Sequence, residues 1–301
     1  MSHSTSQPLS ETVPCPCGSV RTPTEEFSTP TRRYVRCPAC SLVFRNPRPV
    51  GSAIEEFYRD NYDGTYGAIE SGADRLPVYR SVLSHLSGYR VPPGRLLDIG
   101  CGDGAFLALC QMAGWTCFGV EVSKLAAERA AQRGITMLAP RWVTQPAGSS
   151  TQGESYDVVT LINVLETMLD PAAVLRRVRR AMASGGLLLI RVSNGAFHLS
   201  IRKPVRWIGA RYQQAFHLFV YSPQVMQRLL PAAGFRVVAV RNSTPSWGPL
   251  TSARPSLAKL GWRTGGVALW MVAQAAYHLT NGHAVWAPSF EMIAEPESER
   301  A

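Results

Sequence analysis

Short apolar runs alternate with amphipathic stretches over the second and third quarters of the chain. The runs predict strands, and apolar residues spaced three or four positions apart predict helices. The predicted strands cover residues 95–99, 116–120, 156–162, 187–192, 235–240 and 289–294, and the predicted helices cover 52–61, 74–86, 105–113, 123–132 and 171–182. Because strands and helices alternate, the pattern predicts an α/β fold with a doubly wound, mostly parallel sheet.

The composition is that of a folded protein, with 301 residues of which 46% are hydrophobic and 17% charged. This length and apolar content exclude disorder throughout and suit one large domain with a small appendage. No charge-free apolar run reaches the length of a membrane span, and residues 1–11 lack the pattern of a signal peptide. The sequence therefore predicts a cytoplasmic protein.

The net charge of +10 is unevenly distributed. Residues 1–195 hold 20 basic and 17 acidic side chains, whereas residues 196–290 hold ten basic side chains, no acidic one and five of the seven tryptophans. Two basic helical insertions are predicted in this stretch, at 196–222 and 245–285. An anionic acceptor or an anionic surface is the expected partner.

Four cysteines near the N-terminus form two close pairs, Cys15 with Cys17 and Cys37 with Cys40. The surrounding segment is too poor in large apolar residues to fold without a cross-link or a metal. Without an export signal, paired thiols followed by small residues favour a structural zinc ribbon, although the first pair is one residue shorter than usual. The predicted division is residues 1–50 for the tail and ribbon and residues 51–301 for the main domain.

A glycine-rich turn follows the first predicted strand of the main domain, with Asp98 before it and Gly100 and Gly102 within it. Glu121 ends the next strand. Ligands of doubly wound sheets bind beyond the carboxyl ends of the strands, so these residues should lie side by side. The glycines also satisfy a relaxed dinucleotide fingerprint, which keeps a nicotinamide oxidoreductase as an alternative, but a carboxylate at Asp98 suits a cationic amino group better than a pyrophosphate.

The ordered motifs resemble class I S-adenosylmethionine-dependent methyltransferases, whose core is a seven-stranded Rossmann-like sheet. The matching segments are LDIGCGDG at 97–104, GVE at 119–121, YDVVTLINVLE at 156–166 and ASGGLLLI at 183–190. CPACSLVFRNPRP at 37–49 resembles the zinc-ribbon leader of a bacterial subgroup that acts on glycans, lipids and secondary metabolites.

The resemblance assigns roles to individual residues. It implies that Asp98, Gly100 and Gly102 hold the methionine end of S-adenosylmethionine, that Cys101 also belongs to the cofactor site and that Glu121 holds the ribose. The adenosine side of S-adenosylmethionine is expected to contact Asn163, Val164 and Leu165. Thr167 stands where the family usually has histidine, and Glu166 receives no catalytic role.

An oxygen acceptor benefits from a general base, for which His217 is the first candidate and His198 the second. The predicted reaction is O-methylation of a small-molecule, glycan or lipid-linked acceptor of anionic character. RNA methylation assisted by the ribbon is the alternative, and a non-catalytic binding module is the third hypothesis. Residues 257–279 are interpreted either as a helix packed on the sheet or as a helix lying on the anionic inner face of a membrane.

Overall fold

The computed structural model describes residues 10–62, 75–144, 155–207, 217–245 and 257–297. Its strands are β1 (Ser10–Glu11), β2 (Thr24–Thr29), β3 (Arg32–Arg36), β4 (Val43–Arg45), β5 (Arg48–Pro49), β6 (Arg95–Ile99), β7 (Thr116–Val120), β8 (Thr136–Leu138), β9 (Tyr156–Ile162), β10 (Met182–Ser193), β11 (Phe219–Val220), β12 (Phe235–Asn242) and β13 (Ser289–Pro296). Its helices are α1 (Gly51–Tyr62), α2 (Leu76–Ser87), α3 (Ala105–Met112), α4 (Lys124–Gln132), α5 (Pro171–Ala181), α6 (Gly195–Trp207), α7 (Pro223–Ala232) and α8 (Leu257–Leu279).

A seven-stranded sheet with the order β12-β13-β10-β9-β6-β7-β8 forms the centre. The strands from β10 to β8 pair in parallel, and β13 is antiparallel to both of its neighbours. The predicted doubly wound sheet is confirmed, and β6, β7 and β9 have the predicted bounds. Because β6 lies between β7 and β9, the strand order reverses at β6, and the carboxyl ends of these three strands meet there.

Alternating side chains of the sheet strands are buried on both faces. In β10, Leu188 and Ile190 belong to one core cluster, while Leu187 and Leu189 belong to the other. Because both faces are buried, successive positions of these strands are apolar, which explains the continuous apolar runs in the sequence. Three of the flanking helices start at a side-chain cap, supplied by Ser123 for α4, Asp170 for α5 and Ser222 for α7.

The N-terminal segment joins the main domain through a shared sheet. Strands β2, β3 and β4 form an antiparallel sheet whose next strand is β11, from the end of the first predicted insertion. Leu199 of α6 packs against the same sheet, and the guanidinium of Arg202 lies 4.0 Å from the ring centre of Phe27. The boundary at residue 50 stays a prediction, since the sheet is continuous across it.

Helix α8 lies in the second predicted insertion and has two different faces. Trp270 Nε1 donates to the carbonyl of Ser243 over 3.1 Å, and Tyr277 Oη donates to the carbonyl of Val240 over 3.1 Å, which fixes the inner face on β12. The outer face exposes apolar side chains, namely Val267, Met271, Val272 and Leu279. The remainder of the two predicted insertions, residues 208–216 and 246–256, lies outside the described residues. None of the described helices combines the length and the apolar character that crossing a membrane requires.

Candidate active site

The glycine-rich turn after β6 has a backbone that favours glycine. Gly100, Gly102 and Gly104 adopt φ values of 73°, 56° and 78°. A Cβ atom on Gly100 would lie 2.5 Å from Cγ2 of Val164, so the turn also packs tightly against the loop after β9. The structure therefore brings together two segments that the sequence assigned to one ligand.

Two buried carboxylates flank this turn. Asp98 lies at the end of β6 and accepts a 2.6 Å hydrogen bond from Oγ1 of Thr160 on β9. Glu121, directly after β7, accepts from the backbone amides of Gly102 at 3.0 Å and Ser123 at 2.8 Å. Burial raises the pKa of Glu121, although these two amides act in the opposite direction. The turn and both carboxylates thus form one preorganised cradle at the switch point of the sheet.

The loop after β9 completes the side of this cradle that faces β10. Asn163 has a φ of 58°, and its backbone N–H donates to the carbonyl of Arg191 over 2.8 Å. The Asn163 Oδ1 atom accepts from Nη1 of Arg191. Leu165 is completely buried in the core, and Cys101 is also buried, with Sγ directed to the carbonyl of Gly102. The cofactor roles of these residues stay predictions.

The four N-terminal cysteines converge, and their Sγ atoms all lie within 4.8 Å of one another. The Sγ atoms of Cys15 and Cys40 are 3.5 Å apart, and those of Cys17 and Cys37 are 3.7 Å apart. A tetrahedral zinc with Zn–S bonds of about 2.3 Å separates its ligands by about 3.8 Å, so the cluster fits this metal.

Both knuckles of the cluster close with a backbone hydrogen bond from a residue of positive φ, although the two turns differ in length by one residue. Gly18 donates its amide to the Cys15 carbonyl, Ser41 donates to the Cys37 carbonyl, and both donors have positive φ. Burial acts to raise the pKa of the Cys37 thiol, but the amides of Cys40 and Ala39 bring it down to about 7, whereas burial raises the pKa of Cys40 to about 11. A lowered thiol pKa favours the thiolate that a metal binds.

Both candidate bases line one small pocket together with Glu166, Ser193, Gly195, Phe219 and Val220. His198 Nε2 donates to the carbonyl of Pro288 over 2.8 Å, and burial lowers the pKa of His198 to about 4. Burial also lowers the pKa of His217, against the opposing charge of Glu166. Both imidazoles are therefore neutral at pH 7, as a proton acceptor must be.

The sheet formed by β2, β3, β4 and β11 supports this pocket directly. The Tyr34 hydroxyl, on β3, donates to the carbonyl of His217 over 3.0 Å. Phe219 and Val220, which line the pocket, form β11 and pair with Phe44 and Val43 of β4. The position of His217 thus depends on the ribbon, a connection that the sequence motifs did not indicate.

The sequence motifs also gave no indication of a buried ionic network that lies near the cradle. Arg191 of β10 is fully buried and donates to Ser243 Oγ and to the Thr244 carbonyl as well as to Asn163. Burial lowers the pKa of Arg191 to about 10. Ser243 in turn donates to the buried Glu291 over 2.7 Å. An arginine inside the apolar run at 187–192 is the sequence signal that could have indicated this network.

Comparisons with known proteins agree with this architecture. A family model of the methyltransferase domain matches residues 72–240. The ubiquinone biosynthesis O-methyltransferase of Aeromonas salmonicida is 29% identical over 158 residues, which are 48% of this chain and 63% of that protein. The protein of the same name from Caulobacter sp. is 33% identical over 128 residues, which are 39% of this chain and 47% of that protein. This chain thus spans about half to two-thirds of the length of these relatives.

A solved structure shows the same fold. Magnesium protoporphyrin IX methyltransferase from Synechocystis PCC 6803, determined with bound SAH, superposes with a TM-score of 0.55 at 12% identity, covering 83% of this chain and 100% of that one. The family match extends over more than half of the sequence. The chain therefore belongs to the methyltransferase-domain family, and the predicted resemblance to class I S-adenosylmethionine-dependent methyltransferases is confirmed.

Proposed function

We propose that this chain binds S-adenosylmethionine at the carboxyl ends of β6, β7 and β9 and transfers its methyl group to an oxygen atom of an acceptor. The observation that carries the proposal is the cradle formed by Asp98, the glycine turn and Glu121. A buried carboxylate at Asp98 suits the amino group of the methionine end, and Glu121 suits the ribose hydroxyls.

The cosubstrate would supply an activated methyl group, and the chain would supply orientation. Positioning accounts for much of the rate of such a displacement. His217 is proposed as the general base, because it lines a pocket beside the loop after β9 and is neutral at pH 7. The names of the two relatives, both O-methyltransferases, support oxygen as the atom that receives the methyl group.

The acceptor is proposed to be a small molecule, a glycan or a lipid-linked intermediate of anionic character. The absence of acidic residues between positions 196 and 290 supports the anionic character. The exposed apolar face of α8 supports peripheral contact with an anionic membrane. The four converging cysteines are proposed to hold a structural zinc.

Calorimetry with S-adenosylmethionine tests the central claim. The wild-type chain should bind, and Asp98→Asn should bind at least about tenfold more weakly, because a charge-assisted hydrogen bond is lost. Glu128→Gln is the matched control, since Glu128 is exposed on α4. No binding by the wild-type chain at millimolar concentration would refute the proposal.

The acceptor class is tested by transfer of labelled methyl groups to an extract that is then separated into metabolite, lipid and RNA fractions. Label is expected at oxygen in the metabolite or lipid fraction. Label in RNA, together with RNA binding that weakens steeply with salt, would instead support the alternative of an RNA methyltransferase.

A further inference from the structure

Glu166 carries a carboxylate oxygen without a hydrogen-bond donor. The side chain is 2% exposed and lies in the short turn Leu165–Thr167. Its Oε1 atom accepts two long bonds of 3.4 Å, from Nδ2 of Asn163 and from the amide of Ser193. Its Oε2 atom is buried and has no partner among the described residues. Since buried polar atoms in native proteins are nearly always paired, a further donor is expected at this position.

The unpaired oxygen belongs to a residue that lines the pocket of His198 and His217. His198 does not supply the donor, because its Nε2 hydrogen is directed to the Pro288 carbonyl. In the described part of the chain, no basic side chain forms an ion pair with Glu166. Glu166 therefore holds an acceptor atom without a described donor at the wall of this pocket, beside the imidazoles of His198 and His217.

The missing group is a donor and not a second cation. The Glu166 charge already interacts favourably with the buried Arg191 guanidinium, whose hydrogen atoms are directed to Ser243, Asn163 and Thr244. A countercharge is thus close, while a hydrogen bond to Oε2 is absent. Phe219 and Val220 give the remaining wall an apolar character, which suits a neutral group attached to a carbon skeleton.

We propose that this pocket binds a hydroxyl group of the methyl acceptor and that the hydroxyl donates a hydrogen bond to Oε2 of Glu166. Glu166 then determines specificity for hydroxyl-bearing ligands. The identification of the ligand as the acceptor rests on the proposed function, whereas the binding of a hydroxyl at Glu166 does not.

Phenol and anisole are the probes, because they share a ring and only phenol can donate. The chain has six histidines, and labelling them with ¹³C at Cε1 allows the two in the pocket to be followed by NMR. Phenol is expected to shift the His198 and His217 signals and to bind about tenfold more tightly than anisole. In Glu166→Gln this preference should fall to about twofold or less, because a charge-assisted bond is lost.

Two further measurements separate binding from a structural role. Glu166→Gln should melt at about the same temperature as the wild type, since the lost attraction to Arg191 is offset by removal of an incompletely satisfied buried charge. Its affinity for S-adenosylmethionine should stay within about twofold of the wild type, because glutamine keeps an oxygen that can accept from Asn163 Nδ2 and from the Ser193 amide. Glu128→Gln is the control and should keep the full preference for phenol.

Three results would overturn the proposal. One is the absence of any shift of the two histidine signals with phenol, and another is an unchanged preference in Glu166→Gln. The third is an equal loss of phenol and S-adenosylmethionine binding, which would assign Glu166 to the support of the cofactor loop. Failure of the wild-type chain to bind S-adenosylmethionine would instead remove the proposed function and leave the phenol result to decide the role of the pocket.

Discussion

Glu291 and Glu295 both lie on β13, and each is hydrogen-bonded to an arginine of β12, but their surroundings differ. The Glu291 side chain is fully buried and contacts Arg241 at 2.8 Å. The Glu295 side chain is 35% exposed and pairs with Arg236, which is 65% exposed. The two ion pairs therefore allow burial to be separated from charge in a single strand.

Replacing Glu291 by Gln should lower the free energy of unfolding by about 3 kcal/mol, because Arg241 and Arg191 lose a buried anionic partner. Replacing Glu295 by Gln should cost less than about 1 kcal/mol, since water screens the exposed pair. Urea denaturation at pH 7 measures both values. Equal losses in the two variants would contradict the assignment of Glu291 to a buried network.

The stabilising effect of Glu291 should also depend on pH. Burial acts to raise the pKa of Glu291, but His85, Arg241 and Ser243 outweigh it and bring the pKa below its usual value. A lowered pKa in the folded state stabilises the fold above the unfolded-state value of about 4.3, and the effect disappears as the pH falls through the folded-state value.

The difference in unfolding free energy between the wild type and Glu291→Gln should therefore shrink as the pH falls below about 5, where Glu291 itself becomes protonated. Urea denaturation at intervals between pH 7 and pH 3 gives this profile. A difference that grows between pH 5 and pH 3 would show that the sign of the pKa shift is wrong.

Individual residues differed in how far the sequence could predict them. Asp98 and Glu121 could be placed because their positions after strands and beside glycines are set by local sequence. Arg191 could not be placed, since its network includes Glu291, which comes much later in the chain and pairs only once β10 and β13 are adjacent. Glu166 likewise gains a chemical role only through the pocket that β11 helps to form.

At the scale of elements, the short first knuckle of the cysteine cluster does not prevent the thiols from converging. We expect about one zinc per chain in protein purified without chelator. Cys17→Ala should lose most of the metal and lower the melting temperature, because the ribbon depends on that cross-link.

Cys117→Ala is the matched control for the metal, because Cys117 lies on β7 within the central core. Its zinc content should equal that of the wild type when measured by atomic absorption. Equal zinc contents in Cys17→Ala and Cys117→Ala would contradict a site formed by the four N-terminal thiols.

The exposed face of α8 is the second element with a testable role. Met271 and Val272 are about three-fifths exposed, at 60% and 62%. If this face contacts a membrane, Met271→Glu combined with Val272→Glu should abolish cosedimentation with vesicles containing anionic phospholipid, because burying two carboxylates at the interface is unfavourable.

Val20→Glu is the control for the vesicle experiment, since Val20 is fully exposed on the N-terminal segment. It should leave vesicle binding within about twofold of the wild type. Wild-type protein that fails to sediment with anionic vesicles would remove the membrane proposal and leave α8 as a helix packed on β12.

At the scale of the whole molecule, the basic stretch is less basic in space than along the chain. Arg241 and Arg236 both come from the region without acidic residues, yet each is paired with a glutamate of β13. Arg202 places its guanidinium over the ring of Phe27. The count of basic side chains along residues 196–290 therefore overstates the positive charge exposed to an acceptor or a membrane. The reason is that the sheet places β13, with its glutamates, beside β12.

The central sheet and the ribbon also differ in how predictable they were. The parallel core follows from long apolar runs and capped helices, which are local signals. The sheet that joins the ribbon to the main domain depends on β11, a strand of two residues. A strand this short has no periodicity of its own, so only the folded structure reveals its pairing.

The pairing of Val43 and Phe44 with Val220 and Phe219 has a consequence for biosynthesis. The cysteines of the ribbon leave the ribosome before β11, so the edge of β4 stays unpaired until β11 has been synthesised. Such non-local pairing is slow and leaves an unpaired edge that can attract other chains. A zinc ion bound by the four cysteines during that interval would stabilise the ribbon before β11 is available to pair with β4. The metal would then reduce association of the exposed edge with other chains during synthesis.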